Sequence, residues 1–254
     1  DYAGVVEYRD AGLVDIQDYL FTMKHEAERH GAEFRPDTEV EAVRVEDGRV
    51  AGVRTAHGAV EAERVVCAAG WGTRDLLADV VELPMIPFGW NALVVEPDVD
   101  LGDEYPIGVA TDLGTYWRPL DGKLLFGAEH RLEADEEPTM GDRLYRLLET
   151  ELSGLLQGLD DPRIVRTEHC PIHDSTTPDT RPILDAPADA PDGLVIAAGF
   201  HGTGVMDSPC IATAVRSLVT GESAPFALDR FELARFDSRS SDFDFTSLYD
   251  EGYF

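Results

Sequence analysis

Two stretches of this 254-residue sequence share a design suited to holding a nucleotide: an apolar run, then small residues, then a helix. The first is Val65-Val66-Cys67, followed by Ala68, Ala69, Gly70, Trp71 and Gly72. The second is Leu194-Val195-Ile196-Ala197-Ala198, followed by Gly199, Phe200, His201, Gly202, Thr203 and Gly204, with Val205 and Met206 beyond. A strand that ends on Gly or Ala lets a bulky ligand approach the backbone closely. A helix N-terminus just past it offers free N–H groups and the positive end of a dipole. Such a turn suits an anionic pyrophosphate or the electron-rich edge of a flavin, although glycine is also common in ordinary strand-to-helix turns.

Side chains able to handle a substrate lie between these two stretches. Tyr116 and Arg118 are two apart in a strand pattern and so share a face. On a face that looks into a site, Tyr116 could pack over a substrate and Arg118 could hold its carboxylate with two parallel hydrogen bonds. Glu129 and His130 end the next strand, within reach of the same cavity. Cys67, Cys170 and Cys210 are too few and too scattered for a disulfide framework or a zinc site. The histidines are not at metal-ligand spacing, so no metal is expected.

The elements that must position these residues are legible in outline. Asp15 is a good N-cap for a helix with Ile16, Tyr19, Leu20, Met23 and Ala27 at helical spacing, and Gly31 stops it. Val40, Val43 and Val45, the turn Asp47-Gly48, then Val50 and Val53 predict a hairpin, with a third short strand after Gly58. Arg64 to Gly70 reads as a fully buried strand, with a helix through Leu76 and Leu77 after it. From Pro84 to Arg131 the pattern is all β, with strands at 91–95, 114–119 and 123–127 and a tight turn at Asp121-Gly122. Thr139 is placed to cap a helix carrying Leu144, Leu147, Leu148, Leu152 and Leu155. A loop through Thr176-Thr177-Pro178-Asp179 leads to the second buried strand and then to a helix from about Ser208 to Thr220. The acidic, aromatic tail from Phe231 has no periodicity and is expected to wrap the surface or fray.

Composition narrows the function classes. With 21 basic and 50 acidic residues the formal net charge is −29, the wrong sign for a nucleic-acid surface or for an anionic membrane. No run reaches the roughly 18 to 20 apolar residues of a membrane helix. Lysine occurs only at Lys24 and Lys123. So acidic and Lys-poor a protein reads as one adapted to molar salt, where screening over about 3 Å removes most self-repulsion. The few cysteines fit a reducing cytoplasm. The first residue is Asp1, not Met, which predicts that something upstream is missing.

The order of these segments resembles the D-amino acid oxidase-like family of FAD-dependent oxidoreductases, in particular its glycine oxidase and sarcosine oxidase branch. Asp10 to Asp15 resembles the segment before the family's long helix. Gly31-Ala32 followed by Thr38-Glu39-Val40 resembles the strand whose Val backbone meets the adenine. Val65 to Trp71 is similar to the stretch under the FAD, and Tyr116-Trp117-Arg118-Pro119 with Asp121-Gly122 to the substrate-domain strand near the flavin. Thr177-Pro178-Asp179 with Pro182-Ile183, then Ala198 to Gly204, resembles the last two conserved stretches. The family's opening Gly-x-Gly-x-x-Gly is not in this sequence. Where the sarcosine oxidase branch carries a Lys this chain has Met206, and Asp174 lies about where the glycine oxidase branch has a carboxylate-binding Arg.

The resemblance implies an α/β fold: a partial FAD-binding Rossmann-like domain in two pieces, 1–83 and 163–230, with an inserted antiparallel-sheet substrate domain at 84–162 and an acidic tail at 231–254. It implies FAD held by Val40, Ala68, Ala69, Gly70 and Trp71 and by Gly199 through Met206. Tyr116, Arg118, Glu129 and His130 would meet an amine or amino-acid substrate. Catalytic roles would fall to Tyr116, Arg118 and His201, the last by stabilising charge at the flavin's pyrimidine edge. The expected reaction is oxidation of a C–N bond by hydride transfer to flavin. Two alternatives stand beside it: oxidation of a 2-hydroxy acid or polyol phosphate, and a non-catalytic subunit whose FAD site a missing N-terminal segment or second chain completes.

Overall fold

The computed structural model describes residues 7–8, 10–101, 105–131, 142–156 and 158–248. The chain forms two compact units, Asp1–Glu39 and Val40–Phe254. The first is built on α1 (Ile16–Arg29). Asp15 caps it as expected, its carboxylate accepting from the Gln17 and Asp18 N–H groups, and none of the helix's residues is buried. Gly31, at φ +92°, takes the left-handed conformation that ends it.

The second unit opens with the predicted hairpin. β1 (Val40–Glu46) and β2 (Arg49–Thr55) meet around Asp47-Gly48, and β3 (Gly58–Glu61) completes a three-stranded antiparallel sheet. Asp47 and Gly48 both have positive φ, the requirement of a tight hairpin turn.

β4 (Val65–Cys67) is followed by a 3-10 turn at Gly70–Gly72 and the single-turn helix α2 (Thr73–Leu76). It is shorter and less covered than its apolar sequence predicts. It forms the edge of a three-stranded sheet, and Val66 is 38% exposed. Only the Cys67 side of the strand faces the core, where burial pushes the thiol up to about 11.

A five-stranded antiparallel sheet follows, built from β5 (Ile86–Glu96), β6 (Gly108–Ala110), β7 (Thr115–Leu120), β8 (Lys123–Arg131) and β9 (Arg163–Thr176) in the order β6-β7-β8-β5-β9. One face packs Leu93, Val95, Trp117, Leu124 and Phe126 against Leu144, Leu148 and Leu152. Those leucines lie on α3 (Asp142–Leu147) and the π turn 148–152, which leads into α4 (Ser153–Leu155). Thr139, the expected cap, lies outside the described residues. The sheet runs past residue 162, the expected end of its segment. β9 pairs with β5 from Glu96 opposite Arg163 to Ile86 opposite Thr176. Its interspersed Arg, Glu and His residues hide it from an apolar-run reading.

The chain closes through β10 (Ile183–Asp185), the fully buried β11 (Leu194–Ala198) and α5 (Ser208–Thr220), the last two as expected. β11 pairs with β10 antiparallel and with β4 parallel. The described part of the tail, through Leu248, wraps onto the rest of the unit. Leu233 is buried and its N–H donates to Asp185 (2.8 Å). Arg235 makes paired bonds of 2.9 and 3.0 Å to Asp179. No helix of the described residues is long and apolar enough to cross a membrane.

Candidate functional site

The parallel pairing of β4 and β11 puts Leu194 opposite Val65 and Ile196 opposite Cys67. Two stretches more than a hundred residues apart therefore end side by side, at their C-terminal ends, where ligands of open α/β sheets bind. The turns beyond them are shaped by glycine. Gly70 (φ +57°) and Gly202 (φ +78°) both have open space where a Cβ would stand. Around them apolar side chains face outward: Trp71 is 47% exposed, Val205 52% and Met206 64%; Val40, at the start of β1, is 37% exposed. Ala68 and Ala69 are exposed too.

Phe200-His201-Gly202-Thr203 is a tight turn closed by Thr203 N–H to Phe200 O (2.9 Å). Both central residues have positive φ, and for His201 (φ +48°) this is strained. Side-chain contacts hold it there. The imidazole is fully buried. Its Nδ1 is 2.7 Å from Thr176 Oγ1 and its Nε2 is 3.4 Å from Glu129 Oε2. Phe88 and Phe245 flank it, with ring centroids at 4.9 and 5.7 Å. The resemblance places His201 at the flavin's pyrimidine edge; its ring is instead turned inward, toward Glu129 of β8 and Thr176 of β9.

Asp174, which the sequence marked only as standing near a missing Arg, has a structural part. Its carboxylate accepts from the Gly202 N–H and from the Ser175 N–H, both at 2.7 Å. It thus pins the glycine turn to β9. A lone Asp in a strand gives no signal of this. Thr177 and Asp179 shape the next turn: Thr177 Oγ1 is 2.9 Å from Asp179 and 2.7 Å from the Arg181 carbonyl oxygen.

The second face of the five-stranded sheet carries the substrate candidates. Alternation along β7 and β8 turns Tyr116, Arg118, Gly127 and Glu129 away from the leucine-packed face, alongside Trp90 of β5. The Tyr116 ring stacks on Trp90 with centroids 6.3 Å apart, and it lies directly over Gly127, where a Cβ would sit 2.4 Å from it. Burial pushes the Tyr116 hydroxyl up to about 12, against the pull of Arg118 and of a hydrogen bond with Trp90. Near neutral pH it is a neutral phenol, able to donate a hydrogen bond but not to act as a base. Arg118 makes one long hydrogen bond, 3.5 Å to Pro119 O. Among the described residues it has no carboxylate partner. Glu129 is mostly buried beside His201, which joins the glycine turn to this sheet face. The side chain of His130 lies outside the described residues. Among those residues no group of three or more His, Cys, Asp or Glu could hold a metal ion.

Residues 1–218 match the family described as FAD dependent oxidoreductase (DAO). The chain belongs to this family. Over 239 residues it is 25% identical to the bifunctional protein ThiO/ThiG of Synechocystis sp., matching 93% of this chain and 35% of that protein. It is 24% identical to 4-methylaminobutanoate oxidase (formaldehyde-forming) of Paenarthrobacter nicotinovorans, matching 94% of this chain and 30% of that one. The chain thus spans about a third of the curated relatives' length. The crystal structure of L-proline dehydrogenase from P. horikoshii superposes with a TM-score of 0.75 at 22% identity, over 87% of this chain and 59% of that one. That likeness concerns the fold. The turns fit the family's cofactor: open space at Gly70 and Gly202, outward apolar side chains, and backbone N–H groups of Gly204, Val205 and Met206 that have no partner among the described residues.

Proposed function

We propose that this chain takes part in FAD-dependent oxidation of the C–N bond of an amine or amino acid. One observation carries the reading: β4 and β11 pair in parallel, setting two open glycine turns beside a sheet face that bears Arg118, which has no carboxylate partner among the described residues. FAD, when bound, supplies the two-electron acceptor. Val40, Ala68, Ala69, Gly70 and Trp71 on one side, and Gly199 through Met206 on the other, hold it. In this reading the two strands belong to a Rossmann-like domain in two pieces, interrupted by the five-stranded substrate sheet.

The substrate's carboxylate pairs with Arg118, and the apolar part of the molecule packs on Tyr116 and Trp90. The neutral Tyr116 hydroxyl donates to a substrate oxygen and stays protonated throughout. Water is kept from this face by the aromatic pair. Arg118 favours a carboxylated amine over a simple one, in keeping with the name of the 4-methylaminobutanoate oxidase relative. The protein is taken to work in the cytoplasm, at high salt.

The reading is tested by loading the protein with FAD and adding substrates without oxygen. Carboxylated amines are expected to bleach the flavin band near about 450 nm. Bleaching by 2-hydroxy acids alone would move the assignment to C–O oxidation. Failure of every donor, with FAD bound, would leave the subunit reading.

A further inference from the structure

The sheet face that carries Arg118 is closed at one end by the chain's own tail. The strands set the residues of this face in rows. Arg118 stands opposite Leu125, Tyr116 opposite Gly127, and Trp90 opposite both Glu129 and Cys170. From Leu125 to Glu129 is four residues of strand, about 13 Å. The Tyr116 ring, lying over Gly127 and stacked on Trp90, floors the path between them. Arg166, which shares the row of Arg118, is paired with Glu168 at 2.9 Å. At the far end, Ser247 Oγ is 3.0 Å from Glu129 Oε2, and the Leu248 N–H donates to the same oxygen at 3.2 Å. Phe245 packs against Phe88 and His201, with ring centroids 5.6 and 5.7 Å away, and Leu248 is buried. The Glu129 side chain thus serves as a latch for the tail.

We infer that Phe245 and Ser247 form the end wall of the substrate site and set the greatest length of carboxylate-bearing chain that the face accepts. A ligand whose carboxylate pairs with Arg118 runs over the Tyr116 ring and meets the tail within about 13 Å. Up to that point each added methylene buries more apolar area. Beyond it, the chain must push Phe245 aside or break the latch on Glu129, and overpacking is costly. The substrate is then a carboxylated amine of bounded length. Glu129, which the resemblance assigns to the substrate, acts here through the tail as a positioning residue. The inference rests on the proposed function in one respect: it takes Arg118 as the carboxylate anchor.

The test uses the full chain and straight-chain monocarboxylates of increasing length, titrated by calorimetry. About 1 M KCl screens the net charge of −29. Affinity should climb with chain length and then fall at a definite length. Phe245→Ala should move that fall to longer chains and tighten the first rejected carboxylate roughly tenfold or more, with the shortest ligands unchanged. Ser247→Ala, which removes one of the two latch bonds, should move the fall the same way by less. A merely structural role for the tail would weaken all lengths alike, and that result overturns the inference. So does a length limit that stays in place in both variants, or no binding of any carboxylate. Neither cofactor nor turnover enters this measurement. If the length profile is as expected but no amine reduces the flavin of the FAD-loaded protein, the proposed function fails and the end wall stands.

Discussion

Asp179 and Asp185 lie close in sequence and are perturbed in opposite directions. For Asp179, burial pushes the carboxyl up, but Arg235, the Thr177 hydroxyl and the Arg181 N–H outweigh it and hold it below the ordinary value. Its stabilising effect is present above the unfolded carboxylate pKa and is lost as pH falls through the lowered folded value. For Asp185, burial outweighs the N–H groups of Leu233 and Ala186 and raises the pKa. Its protonated form is favoured by the fold, so its effect is present below the unfolded value and is lost as pH rises through the raised one. Arg235→Ala strands a half-buried carboxylate and should cost about 1.5 to 3 kcal/mol at neutral pH, read by chemical denaturation. Asp185→Asn keeps an acceptor for Leu233 without the charge, and should melt no lower than the parent at pH 7. Arg118→Ala should leave flavin content unchanged and slow flavin reduction by a carboxylated amine roughly ten- to hundredfold, the worth of a paired charged contact. Reduction at the parent rate would show Arg118 to be a bystander.

Two glycines make opposite predictions at the level of strand and turn. Gly127 lets the Tyr116 ring cross β8, with a Cβ position only 2.4 Å from the ring. Gly127→Val should drive that ring off Trp90, cost about 1 to 3 kcal/mol and reduce the near-ultraviolet circular dichroism of the stack while far-ultraviolet spectra hold. Gly202 has open space instead. Gly202→Val should fold, with some strain at its positive φ, and should bind FAD much more weakly by fluorescence titration. Wherever a signal was local, it could be read in the sequence: the Asp15 cap, the Asp47-Gly48 hairpin, the span of β11 and the start of α5. β9 was missed because its charged positions break up the apolar pattern. β4 was overread because an apolar strand at a sheet edge looks the same in sequence as one at its centre. At the site, the glycine turns and the shared face of Tyr116 and Arg118 follow from spacing. The links from His201 to Glu129 and from Glu129 to Ser247 join residues from distant parts of the chain, and no local pattern encodes them.

Across the whole molecule, the net charge of −29 is the dominant fact. Many of the described ion pairs are exposed, such as Arg35–Glu33 and Arg54–Glu41, and surface pairs stabilise little. Unpaired acidic charge remains in large excess, so screening should help more than it harms. The melting temperature should rise between dilute buffer and about 1 M KCl, where the screening length falls to about 3 Å. A flat or falling melting temperature would remove the salt-adapted reading. The parallel contact of β4 with β11 has a further consequence, for the order of assembly. Val65 and Leu194 meet only after a loop of roughly 130 residues closes. The antiparallel pairing of β7 with β8 closes across a two-residue turn, and short-range contacts form first. Pulse-labelled hydrogen exchange should therefore protect amides of β7 and β8 before those of β4. The seat shared by the two glycine turns is then a late part of the molecule to form. A ligand bridging it acts as a clasp on a long-range closure, slowing unfolding far more than it speeds folding.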